Sequence, residues 1–191
     1  MAEKGVLIIV SAPSGCGKST VLRRLMEQRD TLRFSVSATT RAPRAGEVDG
    51  REYFFVSREK FAEMVERDEF LEHAEYVGNC YGTPKAAVDA MLTEGYDVYL
   101  DIDVQGAMQI KAQRPETLMI FLMPPSLEEL ERRLVARGTD SAEVIRGRLE
   151  QAQEELRLKE QFDYTVVNDI VERAADEISA YIDAHKKKLN K

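Results

Sequence analysis

Apolar residues in this chain fall into short unbroken runs, and the stretches between them carry apolar positions three and four apart. The runs VLIIV (6–10), FSVS (34–37), VYLDI (98–102), LMIFLM (118–123) and YTVV (164–167) predict buried strands. Helical spacing marks residues 18–28, 105–113, 126–137, 141–160 and 171–188. Strands alternating with helices predict an α/β fold, a parallel five-stranded sheet flanked by helices. Ser126 in SLEE matches a capping box with Glu129, and Ser141 suits the N-cap of the next helix.

Residues 39–95 break the alternation. YFFVS (53–57), a helix at 58–68 and FLEHAEYV (70–77) read as a small mixed α/β lobe, with Pro84 in the first turn of a helix at 84–94. No linker or repeat separates this lobe, so it reads as an insertion in a single domain. The expected core is 1–38, 96–125 and 160–191, with a helical hairpin at 126–159.

Composition narrows the class. The 191 residues are 43% hydrophobic and 32% charged, which suits one compact globular domain. A net charge of -7 argues against a general nucleic-acid binder, which needs a basic footprint. The terminal KKKLNK reads as a solvated helix end. Two cysteines, Cys16 and Cys80, make no disulfide framework. The N-terminal apolar run is too short to span a membrane, and the expected location is cytoplasmic.

The stretch SAPSGCGKST (11–20) joins the first strand to the first helix. Gly15 and Gly17 open backbone angles closed to other residues, and successive N–H groups ahead of a helix start form an anion nest. Lys18 can reach β- and γ-phosphates, and the Ser19 hydroxyl can ligand Mg²⁺. This is the phosphate-loop pattern with Ala12 at its first glycine position, where a positive φ becomes costly. Cys16, inside the loop, is either a thiol activated by the helix start or a small filler.

An acceptor for a phosphoryl group would need a second site. In TTRAPRAGEVDGREYFF, Arg41 and Arg44 can fork onto one phosphate, although loop arginines are commonly solvated surface. In FLEHAEYVGNCYGTP, Glu72, Tyr81 and Thr83 lie in or beside the proposed lobe. A carboxylate can accept from guanine N1–H and its 2-amino group, and a hydroxyl can donate to O6; adenine inverts that pattern. Spacing alone does not assign Glu72 that task. Asp101 ends a buried strand, where an acid can hold Mg²⁺ or its waters. Asp103 equally suits the N-cap of the next helix. The arginines around RGTDS (137–141) belong either to a solvated helix pair or to a lid that closes on the phosphates.

The segments SAPSGCGKST, FSVSATTRAPRAGEVDGREY, EYVGNCYGTP and LDIDVQG together resemble the guanylate kinase family, over nearly the whole chain. The resemblance implies a P-loop NTPase core, a GMP-binding lobe and a lid. It implies transfer from ATP to GMP with Mg²⁺ as cofactor, and it leaves dGMP and the oligomeric state open. By position, Ala12, Pro13, Ser14, Gly15, Cys16, Gly17, Lys18, Ser19 and Thr20 would hold the ATP phosphates, and Asn168 would meet the adenine. Ser37, Glu72, Thr83 and Asp103 would contact guanine, while Arg41, Arg44, Tyr53 and Tyr81 would hold the GMP phosphate. Asp101 would organise the metal's waters. Lys18, Arg41, Arg133, Arg137 and Arg148 would act on the transferring group. Two other readings are a kinase of a different acceptor and a non-catalytic interaction scaffold; the intact Gly17-Lys18-Ser19 weighs against the second.

Overall fold

The computed structural model describes residues 4–136, 138 and 140–189. Strands β1 (Leu7–Ser11), β2 (Leu32–Phe34), β7 (Asp97–Leu100), β8 (Leu118–Met123) and β9 (Tyr164–Val167) form one sheet in the order β2-β7-β1-β8-β9. All four pairings are parallel, with Ile8 of β1 opposite Tyr99 on one side and Leu118 on the other. Both faces are covered, so the central strands read as continuous apolar runs.

The two-residue period of a strand divides those runs between two cores. Ile8 and Val10 face Leu22 and Leu25 of α1 (Lys18–Gln28) and Ile178 and Ile182 of α7 (Val171–Leu189). Leu7 and Ile9 face Val88 and Leu92 of α3 (Lys85–Thr93) and Ala107 and Ile110 of α4 (Val104–Gln113). Truncating Ile9, which is 0% exposed, to alanine would cost about 2–5 kcal/mol. No described helix is long and apolar enough to cross a membrane.

The expected strand at 34–37 is not one element. The core strand ends at Phe34, and the chain enters a second sheet at Ala38. That sheet has the order β4-β3-β6-β5, built from β3 (Ala38–Thr39), β4 (Phe54–Phe55), β5 (Phe70–Tyr76) and β6 (Asn79–Pro84). β5 and β6 form a hairpin turned by Val77 (φ 46°) and Gly78 (φ 70°), and the first of these holds a β-branched residue in the left-handed region. Helix α2 (Arg58–Glu66) covers this sheet, and Phe61 stacks on Phe70 with ring centroids 4.6 Å apart. Pro84 ends β6 and stands at the N-cap of α3 with extended backbone, one position ahead of the first turn expected for it.

Helices α5 (Leu127–Ala136) and α6 (Ala142–Arg157) form the expected hairpin, packed through Leu130, Leu134 and Ala152. The Ser126 hydroxyl accepts from Glu129 N–H at 3.2 Å. The Glu129 carboxylate turns to Arg132 and Arg133 instead of back to the cap, so only half of the capping box forms. The helix expected through residue 160 ends at Arg157, followed by a short 3-10 turn.

Candidate functional site

The loop from Ala12 to Gly17 leaves β1 and delivers the chain into α1. Gly15 and Gly17 have φ of 90° and 89°, and Gly17 is the helix N-cap. Among the described residues, positive φ outside glycine occurs only at Asp68 and Val77, so Ala12 makes the first turn without strain. The loop floors a cavity of about 440 Å³ whose other walls are the segment from Asp101 to Val104 and Glu155 of α6. Lys18 Nζ is ion-paired with Asp101 across it. Ser14 and Ser19 border it and are exposed, and Thr20 is exposed beside them in the chain without bordering it.

Cys16 borders this cavity, but its thiol is turned into the core. Its thiol is 0% exposed and donates to the Leu122 carbonyl at 3.5 Å, and burial pushes its pKa up to about 12. It is a filler, with no activated thiolate.

Asn168 lies behind the loop and not along the cavity. It is 3% exposed, and its Nδ2 donates to the Cys16 carbonyl at 2.7 Å while its own N–H donates to Met123 at 2.8 Å. Gly17 makes room for it, since a Cβ there would stand 2.7 Å from Asn168 Nδ2. The residue expected at the adenine thus also ties the phosphate loop.

Arg133 joins the same tie. It donates to the Cys16 carbonyl at 3.2 Å, to the Asn168 carbonyl at 2.9 Å and to Glu129 at 2.8 Å. Arg132 and Arg133 together hold the Glu129 carboxyl down to about 2. Arg148 reaches Ser14 Oγ and Asp140, each at 3.5 Å. Arg137 lies outside the described residues. Glu155 was not anticipated: it is one of many glutamates on α6, and only the fold turns it toward the loop. Burial pushes its carboxyl up, while a hydrogen bond from Gln151 pulls it down.

A second cavity, of about 530 Å³, opens between the core and the small sheet. Ser37, Tyr53, Glu72, Tyr81, Asp101 and Asp103 border it. Tyr53 and Tyr81 meet edge to face with centroids 6.0 Å apart. Glu72 is 8% exposed and accepts from the Thr83 hydroxyl at 2.6 Å. Burial pushes the Glu72 carboxyl up, the Thr83 hydrogen bond pulls it down, and the charge of Asp103 pushes it up again. Thr83 itself is 1% exposed and reaches the cavity only through Glu72. Asp103 caps α4, accepting from Gly106 N–H at 2.8 Å, and still borders the cavity. Both of its expected uses are therefore compatible.

Arg41 and Arg44 stand apart from that cavity. Arg41 donates to Glu47 and to the Ala42 carbonyl, each at 2.8 Å, and lies over the Tyr53 ring with its guanidinium carbon 5.3 Å from the centroid. The second Glu47 oxygen accepts from the Arg44 N–H at 2.7 Å, and the two arginines hold the Glu47 carboxyl below its usual range. The Arg44 side chain is exposed. Glu47 as the partner of this strip was not legible in the sequence, because the pairing depends on how the loop folds back.

The two cavities share Asp101, Ile102 and Asp103. One offers backbone donors and a lysine, as a polyphosphate requires; the other offers a buried carboxylate with a hydroxyl fixed beside it. Residues 4–185 match the family model described as guanylate kinase. The chain is 52% identical over 191 residues to the guanylate kinase of Lactococcus lactis subsp. lactis, spanning 100% of this chain and 93% of that one. It is 54% identical over 185 residues to that of Streptococcus thermophilus, spanning 96% and 88%. A solved guanylate kinase from Anaplasma phagocytophilum superposes with a TM-score of 0.75 at 37% identity, over 97% of this chain and 88% of that one. The chain belongs to the guanylate kinase family.

Proposed function

We propose that the protein transfers the γ-phosphoryl group of ATP to the phosphate of GMP, giving ADP and GDP. The observation that carries this reading is the pair of adjoining cavities with Asp101 and Asp103 in the shared wall. The phosphate loop would hold ATP, with Lys18 on the phosphates nearest the transfer. Glu72 would accept from guanine N1–H and the 2-amino group, oriented by Thr83, with Ser37 and Asp103 beside it. Tyr53 and Tyr81 would receive the GMP phosphate together with Arg41 and Arg44, once those arginines exchange Glu47 for the ligand. Arg133, Arg137 and Arg148 would bring charge from the hairpin as it closes. Asn168 is read as the tie that keeps the loop in shape.

Oxygen donors at the loop suit Mg²⁺, which favours hard ligands and keeps several waters. Ser19 and, through water, Asp101 would hold it, and when bound it would supply positive charge to offset that of the phosphates. The chain supplies the rest by position. The GMP phosphate oxygen is already anionic, so no general base or covalent nucleophile is needed. Alignment, exclusion of water and fixed positive charge carry the rate. The expected setting is the cytoplasm, without nucleic-acid partners.

The test is ADP release with ATP and Mg²⁺ when GMP, AMP, CMP, UMP and dTMP are each offered. Turnover with GMP alone supports the reading. Turnover with another acceptor keeps the kinase and discards the guanine pocket. A folded protein that binds GMP without turnover points to the scaffold.

A further inference from the structure

Gly106 lies in the first turn of α4, three residues after the Asp103 cap, and is buried. Its backbone does not call for glycine, because its φ is not in the left-handed region. Alanine is the better helix former at such a position. The demand is for space. A Cβ on Gly106 would stand 3.2 Å from Glu72 Oε2, 3.4 Å from Glu72 Cγ and 3.5 Å from Asp103 Oδ1.

The carboxylate has little freedom to yield. Its Oε1 is taken by the Thr83 hydroxyl at 2.6 Å, and the residue is 8% exposed. Its strand, β5, packs on α4, and Gln113 Nε2 at the far end of that helix donates to the Leu71 carbonyl at 3.1 Å. The Gly106 N–H also fixes Asp103 Oδ1 at 2.8 Å. One residue without a side chain therefore borders both carboxylates at the acceptor cavity.

We propose that Gly106 is a positioning residue that sets base specificity: its missing side chain lets α4 approach β5 closely enough to place Glu72 for two parallel hydrogen bonds to guanine. The proposal rests on the reading of Glu72 as the group that recognises the base. A methyl group at 106 displaces the carboxylate or spreads helix from strand. A two-donor contact tolerates neither, since hydrogen bonds weaken steeply with misalignment. The discrimination it governs is GMP over IMP, which keeps N1–H and O6 but lacks the 2-amino donor.

The experiment compares Gly106→Ala, Glu72→Ala and the double variant by calorimetric binding of GMP, IMP and ATP, with thermal melting alongside. In Gly106→Ala, GMP affinity should fall about ten-fold and IMP affinity less, while ATP binding holds. In the Glu72→Ala background the same substitution should cost GMP binding nothing further. GMP affinity within about two-fold of the parent overturns the proposal, as does an equal loss for ATP or a loss that persists without Glu72. Should Gly106→Ala fail to fold, the double variant must fold, because its clash is removed; failure there also overturns it. Unchanged GMP affinity in Glu72→Ala would instead refute the base-reading role of Glu72 itself.

Discussion

The Thr83 hydroxyl donates to Glu72 Oε1 at 2.6 Å, and both residues are buried, at 1% and 8% exposure. An acid that can form two hydrogen bonds to a base is useful only in one orientation and one charge state. Thr83 governs both. It fixes the plane of the carboxylate, and it opposes the desolvation that would keep the acid protonated.

Thr83→Val should therefore move the acid limb of kcat/KM for GMP to higher pH. Its hydrogen bond lowers the Glu72 pKa against burial, so losing it raises that pKa further. The ionised fraction at a given pH then falls, and GMP use falls with it. ATP affinity should stay level. A profile superimposable on the parent's contradicts this.

Ionised Glu72 should also oppose folding. Burial and Asp103 raise its folded pKa above the unfolded value, so the folded state binds more protons between the two pKa values. The Glu72 contribution to stability is then full below the unfolded pKa and declines as pH rises through the folded one. Glu72→Gln should flatten that decline while weakening GMP binding and sparing ATP. Melting curves from pH 4 to 8 check the first part, and parallel titrations check the second. Equal losses for both nucleotides would count against base recognition.

Lys18→Ala should lower transfer by about 10³-fold or more while the chain still folds. The ammonium sits at the mouth of the loop, paired only with the exposed Asp101 among the described residues. Normal turnover at a normal melting temperature would show that the loop does not carry the reaction.

Asn168→Ala should destabilise the protein by about 0.5–1.5 kcal/mol, because the buried Cys16 carbonyl loses its donor at 2.7 Å and keeps Arg133 at 3.2 Å. For a chain of this length that is a drop of roughly 2–4 °C per kcal/mol, with weaker ATP binding beside it. An unchanged melting temperature would mean that the tie contributes nothing to the loop.

Thiol labelling at pH 8 should find one reactive cysteine in the native chain and two in denaturant. Cys80 is half-buried in the small sheet, while Cys16 is sealed, with its pKa pushed up to about 12. Fast labelling of both would place Cys16 in contact with solvent.

Much of the core was legible in the sequence. β8 at 118–123, β9 at 164–167 and α1 at 18–28 match their observed bounds, because each is a long apolar or strongly periodic run beside clear turn signals. β6 was not. Its sequence NCYGTP holds Asn, Gly and Pro, and it is a strand only because β5 and β3 pair with it. The site divides along the same line. The phosphate loop is local and announced itself by spacing. The hold of Glu47 on Arg41, the tie of Asn168 to Cys16 and the approach of Gly106 to Glu72 join residues from separate elements or from opposite arms of a loop, and no spacing in the chain encodes them.

The seam between α4 and β5 also fixes a lever. Strands lie about 4.8 Å apart, so β4, three places along the small sheet, stands roughly 14 Å from β5. Were that sheet to rotate against the core about this edge, the displacement would grow with distance from it. Glu72, beside that edge, would hardly travel, whereas Tyr53 and the Arg41 loop would sweep the widest arc. On the proposed reading of the acceptor site, grip on the phosphate would then be taken and released while the register of the base is kept, the two halves of recognition working on different radii.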